Sequence, residues 1–139
     1  MAAQTEHVAI LKDAYAQWVD ARGNDCGCWM NIIADDVSLG SLAEGSPEVP
    51  FTTRRTTKSG VQAYLDDLMR DWEMISHSMN DFIAQDDRVA VIGRAIWRNK
   101  GTGKIADTRK VDIWRFQDGK VVDFEEYYDT ARLIAAATP

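Results

Sequence analysis

VDIWRFQDGKVVDFEEYYD, residues 111–129, alternates apolar and polar side chains on either side of Asp118-Gly119. β-Branched and aromatic runs flanking an Asp-Gly pair are a strong short-range signal for a β-hairpin. Loop length then decides which side chains share a face, because a one-residue slip moves every residue to the other side. A two-residue loop puts Asp112 opposite Glu125, and directly opposed like charges destabilise a sheet. A three-residue loop, Gln117-Asp118-Gly119 with a left-handed glycine, pairs Phe116 with Lys120 and avoids that clash. The expected inner face carries Asp112, Trp114 and Phe116 beside Val122, Phe124, Glu126 and Tyr128. On this register Lys110 faces Glu126, and Asp112 lies diagonal to Glu126 at roughly 7–8 Å.

Two carboxylates in an aromatic wall have chemical potential. Burial disfavours the charged form, and a neighbouring like charge raises one of the two pKa values further. A protonated carboxyl can donate to a developing oxyanion while its ionised neighbour accepts a proton. The same residues also fit a structural network in which Glu126 pairs with Lys110 at the sheet rim.

At 139 residues the chain is expected to form one domain, residues 1–139, with a core that needs no disulfide or metal. A net charge of −6 argues against a nucleic-acid partner, which selects clustered Lys and Arg. Arg54, Arg55 and Lys58 form the one basic cluster and read as a loop entering a helix. No apolar run approaches about 18 residues, so no membrane span is expected. The N-terminus lacks the pattern of a signal peptide, so a cytoplasmic location is expected.

Cys26 and Cys28, two apart on an expected helix, point away from each other and suit neither a disulfide nor a metal. His7 and His77 are too few and too scattered for a zinc or iron site. Neither metal nor cofactor is therefore expected. His77, between Ser76 and Ser78, reads as a surface or hydrogen-bonded histidine.

Residues 5–22 form an amphipathic helix with Val8, Leu11, Tyr15, Trp18 and Val19 on one face and Thr5 as N-cap. A short second helix carries Trp29, Ile32 and Ile33, capped by Asn24 or Asp25, and a strand covers 37–42. Residues 43–57 hold Gly45, Pro47 and Pro50 and read as a loop long enough to rim a cavity. Ser59 caps a third helix reaching Asp71. Strands follow over 73–84, 88–98 and 105–116, then the hairpin, then a short helix capped by Asp129-Thr130. The fold class is α+β: a curved antiparallel sheet wrapped around three helices on the N-terminal side, leaving a conical hollow.

This pattern resembles the NTF2-like superfamily, and within it the SnoaL-like and ketosteroid-isomerase-related branch. The likeness covers nearly the whole chain. It rests on Tyr15 and Trp18 running into Gly23-Asn24-Asp25, on Ala34-Asp35-Asp36-Val37, on Asp87-Arg88-Val89 and above all on residues 111–129. The resemblance implies a cone-shaped fold that hosts many activities. It places Asp112 where ketosteroid isomerases keep a protonated aspartate for the oxyanion hole, with Tyr15 near the tyrosine of that hole. The isomerase base falls at Ser41, which cannot act as a carboxylate. In limonene epoxide hydrolases a catalytic aspartate occupies the position of Glu126, and an arginine roughly matches Arg94. In SnoaL cyclases an acid/base aspartate lies close to Asp129. Family members commonly dimerise through the outer sheet face, which implies a homodimer here.

The expected function is general acid/base catalysis on a small hydrophobic molecule, of isomerase, cyclase or dehydratase type. Asp112 is the expected hydrogen-bond donor, Glu126 the base or water activator, and Tyr15 a second donor. Trp18, Trp97, Trp114, Phe116, Phe124 and Tyr128 are the expected pocket walls. Two alternatives remain open: a non-catalytic ligand-binding or dimerisation module, and an epoxide-hydrolase-like activity. Apolar residues mixed with charges on the outer face (Val111, Ile113, Arg115, Val121, Asp123, Glu125) suit the former.

Overall fold

The structure, a computed structural model, describes residues 2–139. Its first helix, α1 (Ala2–Asp20), starts upstream of the expected N-cap, so Thr5 lies inside it; Ala2, Ala3 and Gln4 are good helix formers and extend it. Leu11, Ala14, Tyr15 and Trp18 bury one face, whereas Val19 is exposed. Arg22 and Gly23 turn the chain through left-handed conformations, and α2 (Gly27–Met30) follows, its first turn held by the Asp25 carboxylate accepting the Gly27 N–H. Ile33 opens strand β1 (Ile33–Ser41), earlier than the sequence pattern placed it.

A short 3-10 turn, Pro50–Thr52, interrupts the loop that follows. Helix α3 (Lys58–Asp71) is capped by Thr57, whose hydroxyl accepts the Gly60 N–H, and not by Ser59. Strands β2 (Trp72–Gln85), β3 (Arg88–Asn99), β4 (Ile105–Gln117) and β5 (Lys120–Tyr128) come next. Helix α4 (Thr130–Ala137) closes the chain with Asp129 as its cap.

The five strands form one sheet in the order β1-β5-β4-β3-β2. Its four-strand body is antiparallel, but β1 pairs with β5 in parallel, so the sheet is mixed. A parallel neighbour needs a long crossover, and everything from the loop through β4 supplies it. The inner face packs on α1 and α3, with Val89, Val91 and Val121 fully enclosed.

The hairpin departs from the expected register. Its loop has two residues, Asp118 and Gly119, both at positive φ, and Gln117 pairs with Lys120. That is the turn whose twist matches a β-ribbon. A β-bulge at Val122 then moves the register by one residue, so that Asp112 faces Glu126 in place of Glu125: Phe116 pairs with Val121, but Arg115 pairs with Asp123. One extra residue resets the register, so Val121, not Val122, joins the core near the turn. Beyond the bulge, Trp114 pairs with Phe124, Asp112 with Glu126 and Lys110 with Tyr128.

Candidate functional site

Helices α1 and α3 lie over the inner face of the sheet and enclose a cavity of about 120 Å³. All five tryptophans of the chain line it: Trp18, Trp29, Trp72, Trp97 and Trp114. The loop over 43–57 contributes Phe51, whose ring packs 5.4 Å from that of Tyr64. Trp29 and Trp114 stack at 5.3 Å, and Phe124 lies 4.3 Å from Trp114. These walls suit a flat, apolar guest.

One polar cluster breaks the apolar lining. Asp112 and Glu126 are directly opposite across β4 and β5, both buried. Lys110, two residues along the same face of β4, places its Nζ 2.8 Å from Glu126 Oε2 and 3.4 Å from Asp112 Oδ1. Each acid also accepts a tyrosine hydroxyl: Tyr15 donates to Asp112 Oδ2 at 2.5 Å, and Tyr64 donates to Glu126 Oε1. The Trp114 indole N–H donates to the Tyr15 oxygen at 2.9 Å. Ser41 and Tyr128 share a hydrogen bond of 2.6 Å beside Glu126, and Tyr128 also accepts the Ala43 N–H.

The two acids have different electrostatics. Burial lifts Asp112 to about 6, the Lys110 charge offsetting only part of that. Burial pushes Glu126 the same way, but Lys110 and the hydroxyls of Tyr64 and Ser41 outweigh it and hold Glu126 below its ordinary value. Burial lowers the Lys110 ammonium, yet the two carboxylates overcome this and keep it protonated. Tyr15 and Tyr64 are pushed up by burial and by their carboxylate partners, so both remain donors. At neutral pH the cluster holds a fixed carboxylate, a fixed ammonium and one carboxyl that titrates near the working range.

Asp112, Glu126, Tyr15, Trp18, Trp97, Trp114, Phe124 and Tyr128 all line the cavity. Phe116 does not: it lies outside the lining with its ring stacked on His7 at 4.1 Å. Asp112 accepts from Tyr15 through Oδ2 and faces the Lys110 ammonium with Oδ1. Arg94 sits on the outer face paired with Asp107, away from Glu126. Asp129 spends its carboxylate on the Arg132 N–H at the start of α4.

Sequence reasoning missed three lining residues of consequence. Tyr64 and Trp72 were not among the expected site residues, and both line the cavity. His77, expected to be a surface or hydrogen-bonded histidine, is 7% exposed, has an unpartnered Nδ1 and lines the cavity. Among the described residues no group of three or more His, Cys, Asp or Glu side chains is placed to hold a metal ion. Cys26 and Cys28 are free thiols.

A family model described as a SnoaL-like domain matches residues 12–124. No curated protein matches. Among solved structures, an NTF2-like protein from Burkholderia xenovorans LB400 is similar at 24% identity, over 97% of this chain and 98% of its own, with a TM-score of 0.81. TerC, co-crystallised with polyporic acid, is similar at 21% identity, over 95% of this chain and 98% of its own, with a TM-score of 0.78. A protein from Jannaschia sp. CCS1, provisionally named a SnoaL-like polyketide cyclase, matches at 14% identity over 100% of this chain and 96% of its own, TM-score 0.79. At these identities the likeness shows the fold.

Proposed function

The chain belongs to the SnoaL-like family of the NTF2-like superfamily, and from that premise we propose that it is a cofactor-independent acid/base enzyme acting on a small, largely aromatic carbonyl compound. The observation that carries this reading is the Lys110-bridged pair of Asp112 and Glu126 at the wall of a tryptophan-lined cavity. Asp112, with its pKa lifted to about 6, is the base: near neutrality it is ionised yet basic enough to take a proton from carbon. Glu126, held down by Lys110 and Tyr64, is the fixed negative charge that keeps Lys110 in place.

In the proposed reaction Asp112 removes a proton from the carbon beside a substrate carbonyl. The electron pair moves onto the carbonyl oxygen as an enolate. Returning the proton to a different carbon completes an isomerisation. Attack of the enolate carbon on a second carbonyl in the same molecule forms the ring bond, and the proton held by Asp112 passes to the resulting alkoxide to complete a cyclisation. Tyr15 and Trp114 fix the orientation of the Asp112 carboxylate through their chain of hydrogen bonds. The provisional cyclase name of the Jannaschia relative and the small organic molecule crystallised with TerC agree with this class of guest.

The test uses 2-tetralone, an enolisable aromatic ketone, in deuterated buffer. The protein is expected to speed exchange of the hydrogens beside the carbonyl, and Asp112→Asn to cut that rate by about 10²–10⁴-fold. Exchange no faster than in buffer alone would overturn the proposal.

A further inference from the structure

His77 stands on β2 between two irregularities. Met74 pairs with Trp97 and Ser76 with Ile96, leaving Ile75 as an extra residue; Met79 pairs with Gly93 and Asp81 with Ile92, leaving Asn80 as another. Simple alternation from Trp72 and Met74, both buried, would aim Ser76 inward and His77 outward. The bulge at Ile75 reverses this, so His77 and Met79 face the core while Ile75 is exposed. The bulge at Asn80 then turns the strand back, and Phe82 again packs on the core. Bulges of this kind re-aim single side chains beside functional sites.

The close approach of β2 and β3 here depends on Gly93. A Cβ at that position would lie 2.0 Å from the Ser78 carbonyl oxygen and 2.7 Å from Met79 Cα, both backbone atoms. The sheet has therefore been shaped around a segment that carries an imidazole into the cavity.

The side chain so delivered has an unfilled hydrogen-bonding capacity. His77 lines the cavity, its ring 6.0 Å from that of Tyr15, and its Nδ1 has no hydrogen-bond partner among the described residues. Burial, with the charge of Lys110, holds its pKa near 3, so the ring is neutral. A neutral imidazole has one donor nitrogen and one acceptor, so the ring can give a hydrogen bond to a guest oxygen or take one from a guest hydroxyl. Next to His77 across the sheet stands Ala95, too small to fill the space, and then Thr108. The Thr108 hydroxyl is already engaged with the Arg109 carbonyl and the Asp129 N–H.

Resting on the acid/base reading above, we propose that His77 is a substrate-binding residue that takes a hydroxyl or carbonyl oxygen of the aromatic guest, so that the cavity selects oxygenated aromatics over hydrocarbons. A site that hydrogen-bonds a guest oxygen discriminates against guests lacking it, because its own polar group is then left unpaired.

The probes are 2-naphthol and 2-methylnaphthalene, which differ only in hydroxyl against methyl. Binding is read from the five tryptophan indole N–H signals by NMR, and contact with His77 from its imidazole ¹⁵N shifts. In the wild-type protein 2-naphthol is expected to bind more tightly and to move the His77 nitrogens, whereas 2-methylnaphthalene leaves them in place. His77→Phe, which keeps a flat ring against Tyr15, should reduce the preference by about tenfold. His77→Gln, which keeps a donor, should restore part of it. Asp112→Asn should leave the ¹⁵N response intact. An unchanged preference in His77→Phe, or wild-type nitrogens indifferent to 2-naphthol, overturns the role of His77 and leaves the acid/base proposal standing. Failure of both probes to move any indole signal overturns both.

Discussion

Asp112 and Glu126 face each other directly across β4 and β5, and the ammonium of Lys110 lies against both. Two opposed acids would repel each other in any sheet. Here one cation screens the pair, and Tyr15 and Tyr64 each neutralise part of one acid by donating to it. Removing the cation leaves two buried carboxylates with no counter-charge. Lys110→Met is therefore expected to cost about 3–5 kcal/mol, as for other broken buried ion pairs. Urea unfolding at pH 7 measures it, and a loss under about 1 kcal/mol would show that the bridge is dispensable.

The raised pKa of Asp112 has a definite sign in folding. Its folded value is about 6 against an ordinary 3.8, so between those limits the folded chain holds a proton that the unfolded chain has released. Stability contributed by that proton is present at low pH and lost as pH rises through about 6, by up to about 3 kcal/mol. Glu126, held below its ordinary 4.5, acts the other way: its contribution is present above that pH and lost as pH falls. Comparing wild type with Asp112→Asn isolates the first effect. The stability difference between them should shift against the wild type from pH 4.5 to pH 6.5, and a difference that stays flat would mean that Asp112 does not titrate there.

The sequence made the α+β architecture legible because amphipathic helices and alternating strands follow regular periods. It made Asp112, Trp114, Phe124 and Glu126 legible as one face for a less secure reason. The loop expected at 117–119 was one residue too long, and the bulge at Val122 supplied the compensating residue one strand later. His77 was missed as a lining residue because the bulge at Ile75 changed the parity of its strand, and no local residue pattern announces such an insertion. The parallel pairing of β1 was hidden as well, since it depends on which sheet edge is left free and not on anything within residues 33–41.

Gly119 offers a clean measure of the turn. Its φ is +79°, and a Cβ there would meet nothing within 4 Å. Gly119→Ala should therefore cost only the left-handed backbone penalty, about 1–2 kcal/mol. Gly93→Ala differs in kind: its Cβ would strike backbone atoms of β2, so the strand must shift. It should destabilise the chain more than Gly119→Ala does and alter the His77 imidazole signals. Equal costs for the two, or unaltered His77 signals, would mean that β2 and β3 are free to part without moving the bulged segment.

The outer face of the sheet carries two apolar rows across its strands. Ile92 pairs with Val111 and Val111 with Tyr127; Ile83 pairs with Ala90 and Ala90 with Ile113. Ile83, Ile92 and Tyr127 are 55%, 37% and 44% exposed. Charged residues border these rows, Arg94 with Asp107 and Arg54 with Glu125, the mixture of apolar centre and polar rim found where proteins meet. We propose that two copies of the chain pair through this face, as the family resemblance implies. Sedimentation velocity at micromolar concentration is expected to give a dimer, and Ile92→Glu, which buries a charge at the centre of the patch, a folded monomer. A wild-type monomer at that concentration, or an Ile92→Glu protein that still dimerises, would place any self-association elsewhere.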